Sequence, residues 1–234
     1  MKAVDVFDYL KNNEYPGRGI MICRTPCGRK IRIGYFIMGR SENSRNRVFV
    51  EEGQGIRTEA FDPSKMVDPS LIIYAPVRVH DDTTIVTNGD QTDTIYDFLG
   101  EGKSFEDALR TRQFEPDEPN YTPRISAIVK KDKYQMSILK SFGGDPVFNQ
   151  RQFFDYDAKP GYGHIVHTYK ENGNPIPSFE GEPVLFEVVK EPFEAFSKHL
   201  WEALNKDNKV SLFTRSIDLE TGETETMIFN KNEK

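Results

Sequence analysis

The chain has 234 residues, with Lys+Arg 31 against Asp+Glu 37, a net charge of -6 and a pI near 5.4. So acidic a surface excludes general binding to nucleic acid or anionic membrane, both of which need a broad basic field. No apolar run approaches the roughly 20 residues that span a bilayer, MKAVDVFDYLKNN is too polar for a signal peptide, and two cysteines make no disulfide framework, so the expectation is a cytoplasmic protein.

In chain order, VDVFDYLKNN (4–13) reads as a short helix. GIMICR and IRIGYFIM flank the turn TPCG as a first hairpin. LIIYAPVRV and TTIVT flank HDD in the same way, which would put Tyr74 on a strand. TDTIYDFLGEG and SFEDALRTR carry helical spacing, Ile95 with Phe98 and Leu99, then Phe105 with Leu109. RISAIV and YQMSILKS flank KKDK as a third hairpin, and FGGDPVFNQ (142–150) reads as the softest stretch. GHIVHTY and PVLFEVV lie either side of ENGNP. PFEAFSKHLWEALN is the clearest helix, with Phe193, Phe196, Leu200 and Leu204 on one stripe and Pro192 at its start. KVSLFTRSI, the turn ETGE and TETMIF close the chain as a last hairpin. No low-complexity linker or repeat divides these units, so one α+β domain over 1–234 is expected, its helices covering antiparallel sheets.

Three polar segments stand beside elements that should be buried, where binding residues collect on a rigid scaffold. GRSENSRNR (39–47) gathers three arginines and two asparagines behind a strand, TNGDQTDTI (87–95) joins a strand to a helix, and EPDEPNYTPRI (115–125) leads into the third hairpin. Each also has a plain structural reading: Asn88-Gly89 as a turn, Asp90 as an N-cap, Pro123 fixing the start of a strand, the arginines solvated. Cys23 and Cys27 lack further ligands at metal spacing, and HIVH is the one close histidine pair, so no metal site is expected.

In combination, the GR of PGRGI, GRS followed by NR, a tyrosine in IIYAPVRV, NGDQTDTI and TPRI resemble, in order and spacing along residues 17–128, the archaeal-type IMP cyclohydrolases. That resemblance implies closure of the second purine ring, from 5-formamido-1-(5-phosphoribosyl)imidazole-4-carboxamide to inosine monophosphate with loss of water. It further implies no cofactor, and a four-layer αββα sandwich similar to N-terminal nucleophile hydrolases. By match to the family pattern, Arg47, Arg40 and Arg18 are assigned to phosphate or oxyanion contacts, supported by Asn46 and Ser41. Tyr74 is a candidate to move a proton or bond the developing oxyanion. Asn88, Asp90, Thr92 and Asp93 are placed on the carboxamide or on pocket order, Arg124 on substrate charge, and Tyr121 on stacking against the imidazole. Chemically, such a reaction needs a held near-attack geometry, charge stabilisation and acid–base groups, and no metal, redox group or covalent nucleophile. Two rivals remain: an amidase with an N-terminal nucleophile, which would have to begin at Cys23 and lose its first strand, and a non-catalytic purine ribotide-binding protein. The expected partner is a small-molecule ribotide, with homo-oligomerisation left open.

Overall fold

The computed structural model describes residues 2–66, 69 and 71–232. Strand β1 (Val4–Asp5) runs into helix α1 (Val6–Lys11), followed by the hairpin β2 (Arg18–Arg24) and β3 (Lys30–Met38). The short α2 (Glu42–Arg45) precedes β4 (Arg47–Glu52), β5 (Gly55–Ala60), β6 (Val77–His80) and β7 (Thr83–Thr87). Helices α3 (Gln91–Gly100) and α4 (Phe105–Arg110) lead to β8 (Arg124–Lys130), β9 (Lys133–Phe142) and β10 (Asp145–Asp157). Then come β11 (Tyr162–His167), β12 (Val184–Glu187), α5 (Phe193–Ala203), β13 (Lys209–Asp218) and β14 (Thr224–Asn230).

Two seven-stranded sheets result, ordered β1-β12-β11-β2-β3-β13-β14 and β10-β9-β8-β7-β6-β5-β4. Among the described strand pairs, β1–β12 alone is parallel. The fold is therefore α+β with two mostly antiparallel sheets. Strand periodicity explains how the sheets stack. Along β2 and β3, Ile20, Ile22, Ile31, Ile33, Tyr35 and Ile37 join Val86, Ile125, Ala127 and Ile138 of the other sheet in one cluster. The alternate residues Met21, Cys23, Phe36 and Met38 point the other way, onto α1 and α5. On the far face of the second sheet, Ile85 and Leu139 pack against Ile95 of α3 and Phe105 and Leu109 of α4. Both faces of the central strands are buried, so their near-continuous apolar runs follow. Truncating a fully buried residue such as Phe213 to Ala would cost about 3–5 kcal/mol.

Local signals explain the element ends. Asp5 accepts from the N–H groups of Phe7 (2.8 Å) and Asp8 (3.0 Å), capping α1. Ser104 and Asp107 form a reciprocal capping box on α4. The stripe Phe193, Phe196, Leu200 and Leu204 is buried as expected, with Pro192 at the N-cap. Among the described residues no helix is long and apolar enough to cross a membrane.

One local expectation is corrected. The strand expected at LIIYAPVRV begins only at Val77; residues 71–76 form turns, since Pro76 offers no N–H. Tyr74 lies there, tied to Thr58 of β5, whose N–H donates to the Tyr74 carbonyl (2.9 Å) and whose Oγ accepts from the Tyr74 N–H (2.9 Å). The stretch 142–150, expected to be softest, is exposed over Asp145–Phe148 and carries the register shift at the start of β10, the longest strand. The β4–β5 hairpin, turning at Gly53 with φ 58°, forms a further strand pair beyond those expected.

Candidate functional site

Three strands begin with arginine at one end of the stacked sheets: Arg18 on β2, Arg47 on β4 and Arg124 on β8. Arg47 is 1% exposed. Its Nε donates to the Ser44 carbonyl (2.8 Å) and Nη2 to the Met38 carbonyl (3.3 Å). The remaining nitrogen, Nη1, is buried with no protein acceptor. Arg18 reaches the buried carboxylate of Glu115 through Nη2 at 3.5 Å, while its Nε is likewise buried and unpartnered. Buried donors of this kind are costly unless something else accepts from them.

Between these guanidiniums lie two phenols. The hydroxyls of Tyr35 and Tyr74 are 2.8 Å apart. Tyr35 is fully buried, on the strand residue that pairs with Ile20. Tyr74 also walls a groove of about 830 Å³ that it shares with Ile73, Ala75, Arg78, Asp93 and Tyr96. Tyr74 therefore joins an open groove to the buried charges.

The electrostatics follow from burial and mutual proximity. Burial pushes the Tyr35 phenol well above its ordinary value, and Tyr74 adds to the rise. Burial also raises the Glu115 carboxyl above the usual range, although Arg18, Arg124 and Arg47 all pull it down. Desolvation lowers the Arg47 guanidinium, with Tyr74 opposing that change and Arg18 adding to it. For Arg18, burial acts downward but is outweighed by Glu115 and by the phenols of Tyr169, Tyr74 and Tyr35, which hold it well above the ordinary range. Tyr169, pushed up to about 12 by burial, shares a 2.6 Å hydrogen bond with Thr122, whose hydroxyl is bound in turn to Asp117.

The NGDQTD segment builds the support for Arg124. Asn88 Oδ1 accepts from the Ile125 N–H (2.9 Å) and from Gln91 Nε2 (3.0 Å), and its Nδ2 donates to the Pro123 carbonyl (2.9 Å). That clamp ties the start of α3 to the start of β8. Arg124 Nη1 then donates to Gln91 Oε1 (2.6 Å) and lies 2.7 Å from Asp90 Oδ1. A Cβ on Gly89 would fall 2.4 Å from that same nitrogen and 2.6 Å from Gln91 Oε1, so a side chain there would push the guanidinium off this partner. Asp90 occupies the N-cap position of α3 but makes no side-chain cap bond; it pairs with Arg124 and Arg112 instead. Burial acts to raise its carboxyl, and the two arginines outweigh it and lower it. Thr92 bonds Thr87 Oγ at 2.7 Å and the Gly89 carbonyl at 3.0 Å, closing the turn.

Of the residues singled out in the sequence, Arg18, Arg47, Tyr74 and Arg124 thus converge, with Asn88, Asp90 and Thr92 behind Arg124. The others sit apart. Arg40 is exposed, bound to Asn172 and the Gly173 carbonyl. Ser41 caps α2. Asn46 exchanges two hydrogen bonds with the Asp62 backbone. Asp93 pairs with Arg78 at 2.7 Å on the wall of the open groove that Tyr74 shares, outside the buried cluster. Tyr121, at φ 43°, packs edge-on against Phe114. Tyr35, Glu115 and Tyr169 were not singled out: Tyr35 sits in an apolar strand run, and nothing in EPDEPNYTPRI marks Glu115 as buried. Cys23 lies buried in mid-strand, its thiol pushed up to about 12 by desolvation, in the opposite sense to an activated nucleophile. His164 and His167 are held separately by Tyr134 and Tyr9. Among the described residues, no group of three or more His, Cys, Asp or Glu could hold a metal ion.

Comparison with known proteins gives the same direction. A family model described as IMP cyclohydrolase-like protein matches residues 15–223. An IMP cyclohydrolase of Methanothrix thermoacetophila is 28% identical over 158 residues, covering 66% of this chain and 74% of that protein. Its counterpart in Methanopyrus kandleri is 29% identical over 188 residues, covering 71% and 89%. One from Methanococcus maripaludis is 32% identical over 130 residues, covering 53% and 63%. With the matched segment running from just before β2 into the β13–β14 turn, the chain belongs to the IMP cyclohydrolase-like family.

Proposed function

We propose that this protein is an IMP cyclohydrolase, which closes 5-formamido-1-(5-phosphoribosyl)imidazole-4-carboxamide to inosine monophosphate. The carboxamide nitrogen forms a bond to the formyl carbon, and the formyl oxygen leaves as water. Its two hydrogens come from the carboxamide nitrogen and the formamido nitrogen. The observation that carries this reading is the Tyr35–Tyr74 hydroxyl pair, set among buried guanidiniums that keep unpartnered N–H groups.

Each step finds a group of the right kind. The amide nitrogen is a poor nucleophile, so the two reacting arms must be held together. Arg18 and Arg124 supply fixed donors for an anionic substrate. Negative charge grows on the formyl oxygen as the ring closes; the Tyr74 hydroxyl donates there, with Tyr35 behind it and Arg47 supplying positive charge. Glu115, held above the usual carboxylate range and against Arg18, is the group suited to take the amide proton and return it to the departing oxygen.

The activity belongs to one domain spanning the chain, supported by a core cluster that draws residues from Ile20 to Phe213. The order of that cluster and the two helix-backed ones supports an αββα sandwich of the N-terminal nucleophile hydrolase kind. Two free cysteines fit a reducing cytoplasm. The deciding experiment follows inosine monophosphate spectroscopically after adding purified protein to the formamido ribotide. Tight binding of the ribotide without turnover would refute the reading.

A further inference from the structure

The two sheets have four lateral edges, and three of them are managed. At one side the edges of β14 and β4 meet: Asn230 accepts from the Phe49 N–H (2.8 Å) and donates to the Phe49 carbonyl (3.0 Å). At the other side the first sheet ends in β1, only two residues long. The fourth edge is β10. From Asn149 to Asp157 it pairs with β9 in unbroken register over nine residues, without proline, lysine or bulge. Among the described residues, no backbone group of 149–157 bonds to anything beyond that ladder. A long, regular edge with its backbone groups free is a template for another strand whose side chains match it.

The side chains of β10 say which strand fits. Directly opposed residues of an antiparallel pair share a face, so a two-fold between identical strands must pass through a residue. Placed at Phe153, the midpoint of the regular segment, it uses all nine residues. It sets Phe153 on Phe153, Gln152 on Phe154, Arg151 on Asp155, Gln150 on Tyr156 and Asn149 on Asp157. Arg151 and Asp155 are both exposed. A two-fold at Arg151 would instead oppose like charges, and one at Gln152 or Phe154 would leave part of the ladder unmatched.

We infer that the β10 edge is a homodimer interface, in which two copies pair antiparallel about Phe153 and join their second sheets into one of fourteen strands. Opposite charges across strands attract and like charges repel, which gives a test that damaged folding cannot imitate. Sedimentation equilibrium of the full chain should show a dimer. Arg151→Asp alone and Asp155→Arg alone each place two like-charged pairs at the interface and should weaken self-association by about tenfold or more. Mixed one to one, the two variants regain both opposite-charge pairs and should form a heterodimer near wild-type strength. The double variant carrying both changes should dimerise by itself. A wild-type chain that stays monomeric to its solubility limit overturns the inference. So does a dimer that the single variants leave intact, or a mixture that fails to associate.

Discussion

Removing one hydroxyl from the Tyr35–Tyr74 pair separates chemistry from packing. Tyr35 is fully buried and Tyr74 is 8% exposed, and their oxygens are 2.8 Å apart. Tyr74→Phe therefore strands the Tyr35 hydroxyl in the core, and Tyr35→Phe largely strands that of Tyr74. A buried polar group left without its partner costs about 1–3 kcal/mol, whereas replacing both partners by apolar groups of the same shape is nearly neutral. The two single variants should each lose stability on that scale in urea unfolding. The double variant should lose less than their sum, by about 1–3 kcal/mol of coupling. Turnover should divide the pair differently. Tyr74 walls the groove and Tyr35 does not, so Tyr74→Phe should lower kcat about 10²-fold, the scale of a lost proton-transfer group. Tyr35→Phe should cost about tenfold, as the loss of an orienting partner rather than of the donor itself. Affinity for inosine monophosphate should change less than kcat in both, because the charge served exists mainly during ring closure. Unchanged kcat in Tyr74→Phe, or a larger fall in Tyr35→Phe, would refute this division of roles.

Arg47→Lys keeps a positive charge but cannot hold the Ser44 and Met38 carbonyls together; unfolding stability should fall by about 1–3 kcal/mol and kcat by 10²-fold or more, both measured on the same preparation. Excess chelator should leave turnover unchanged in a steady-state assay, since no metal-holding group of three ligands occurs among the described residues. His167 is buried, bonded to Tyr9 and to the Tyr169 carbonyl, and desolvation lowers it from 6.5 to about 4. The unfolded chain takes up this proton first as pH falls, so the contribution is present above about 6.5 and is lost between there and about 4, amounting to about 3 kcal/mol. Unfolding of His167→Gln should accordingly be less sensitive to acid than wild type over that window.

Hairpins with a short register were legible because alternation and turn residues are local: TPCG, HDD and KKDK each turn where expected. The β4–β5 pair escaped because RVFVEE and GIRTEA mix charge with apolar residues, which blurs the alternation that marks a strand. Arg18, Arg47 and Arg124 could be named from the family pattern, but their meeting depends on two sheets stacking, a long-range fact. Glu115 shows the limit. Its segment reads as solvated loop, and only the fold buries it beside Arg18. The same holds for Arg40, whose neighbours in the sequence are those of the site but whose side chain leaves toward Asn172.

The excess positive charge of the cluster matches the anionic ribotide proposed to bind there. Two buried guanidiniums, Arg47 and Arg124, and the partly buried Arg18 face one buried carboxylate, Glu115, while Asp90 at the margin is shared with Arg112. Burying unmatched positive charge works against folding, and apolar residues of the same volume would serve stability better. A dianionic ribotide bound as proposed would reverse that balance, because its oxygens would accept from the nitrogens the protein leaves without partners. It also acts on Glu115. An anion drawn to Arg18 weakens the pull that lowers the Glu115 carboxyl, so its proton affinity rises as substrate binds. The charges proposed to hold the ribotide thereby prime the nearby carboxyl to take the amide proton during ring closure, which is why binding and acid–base chemistry would occupy one buried cluster rather than two.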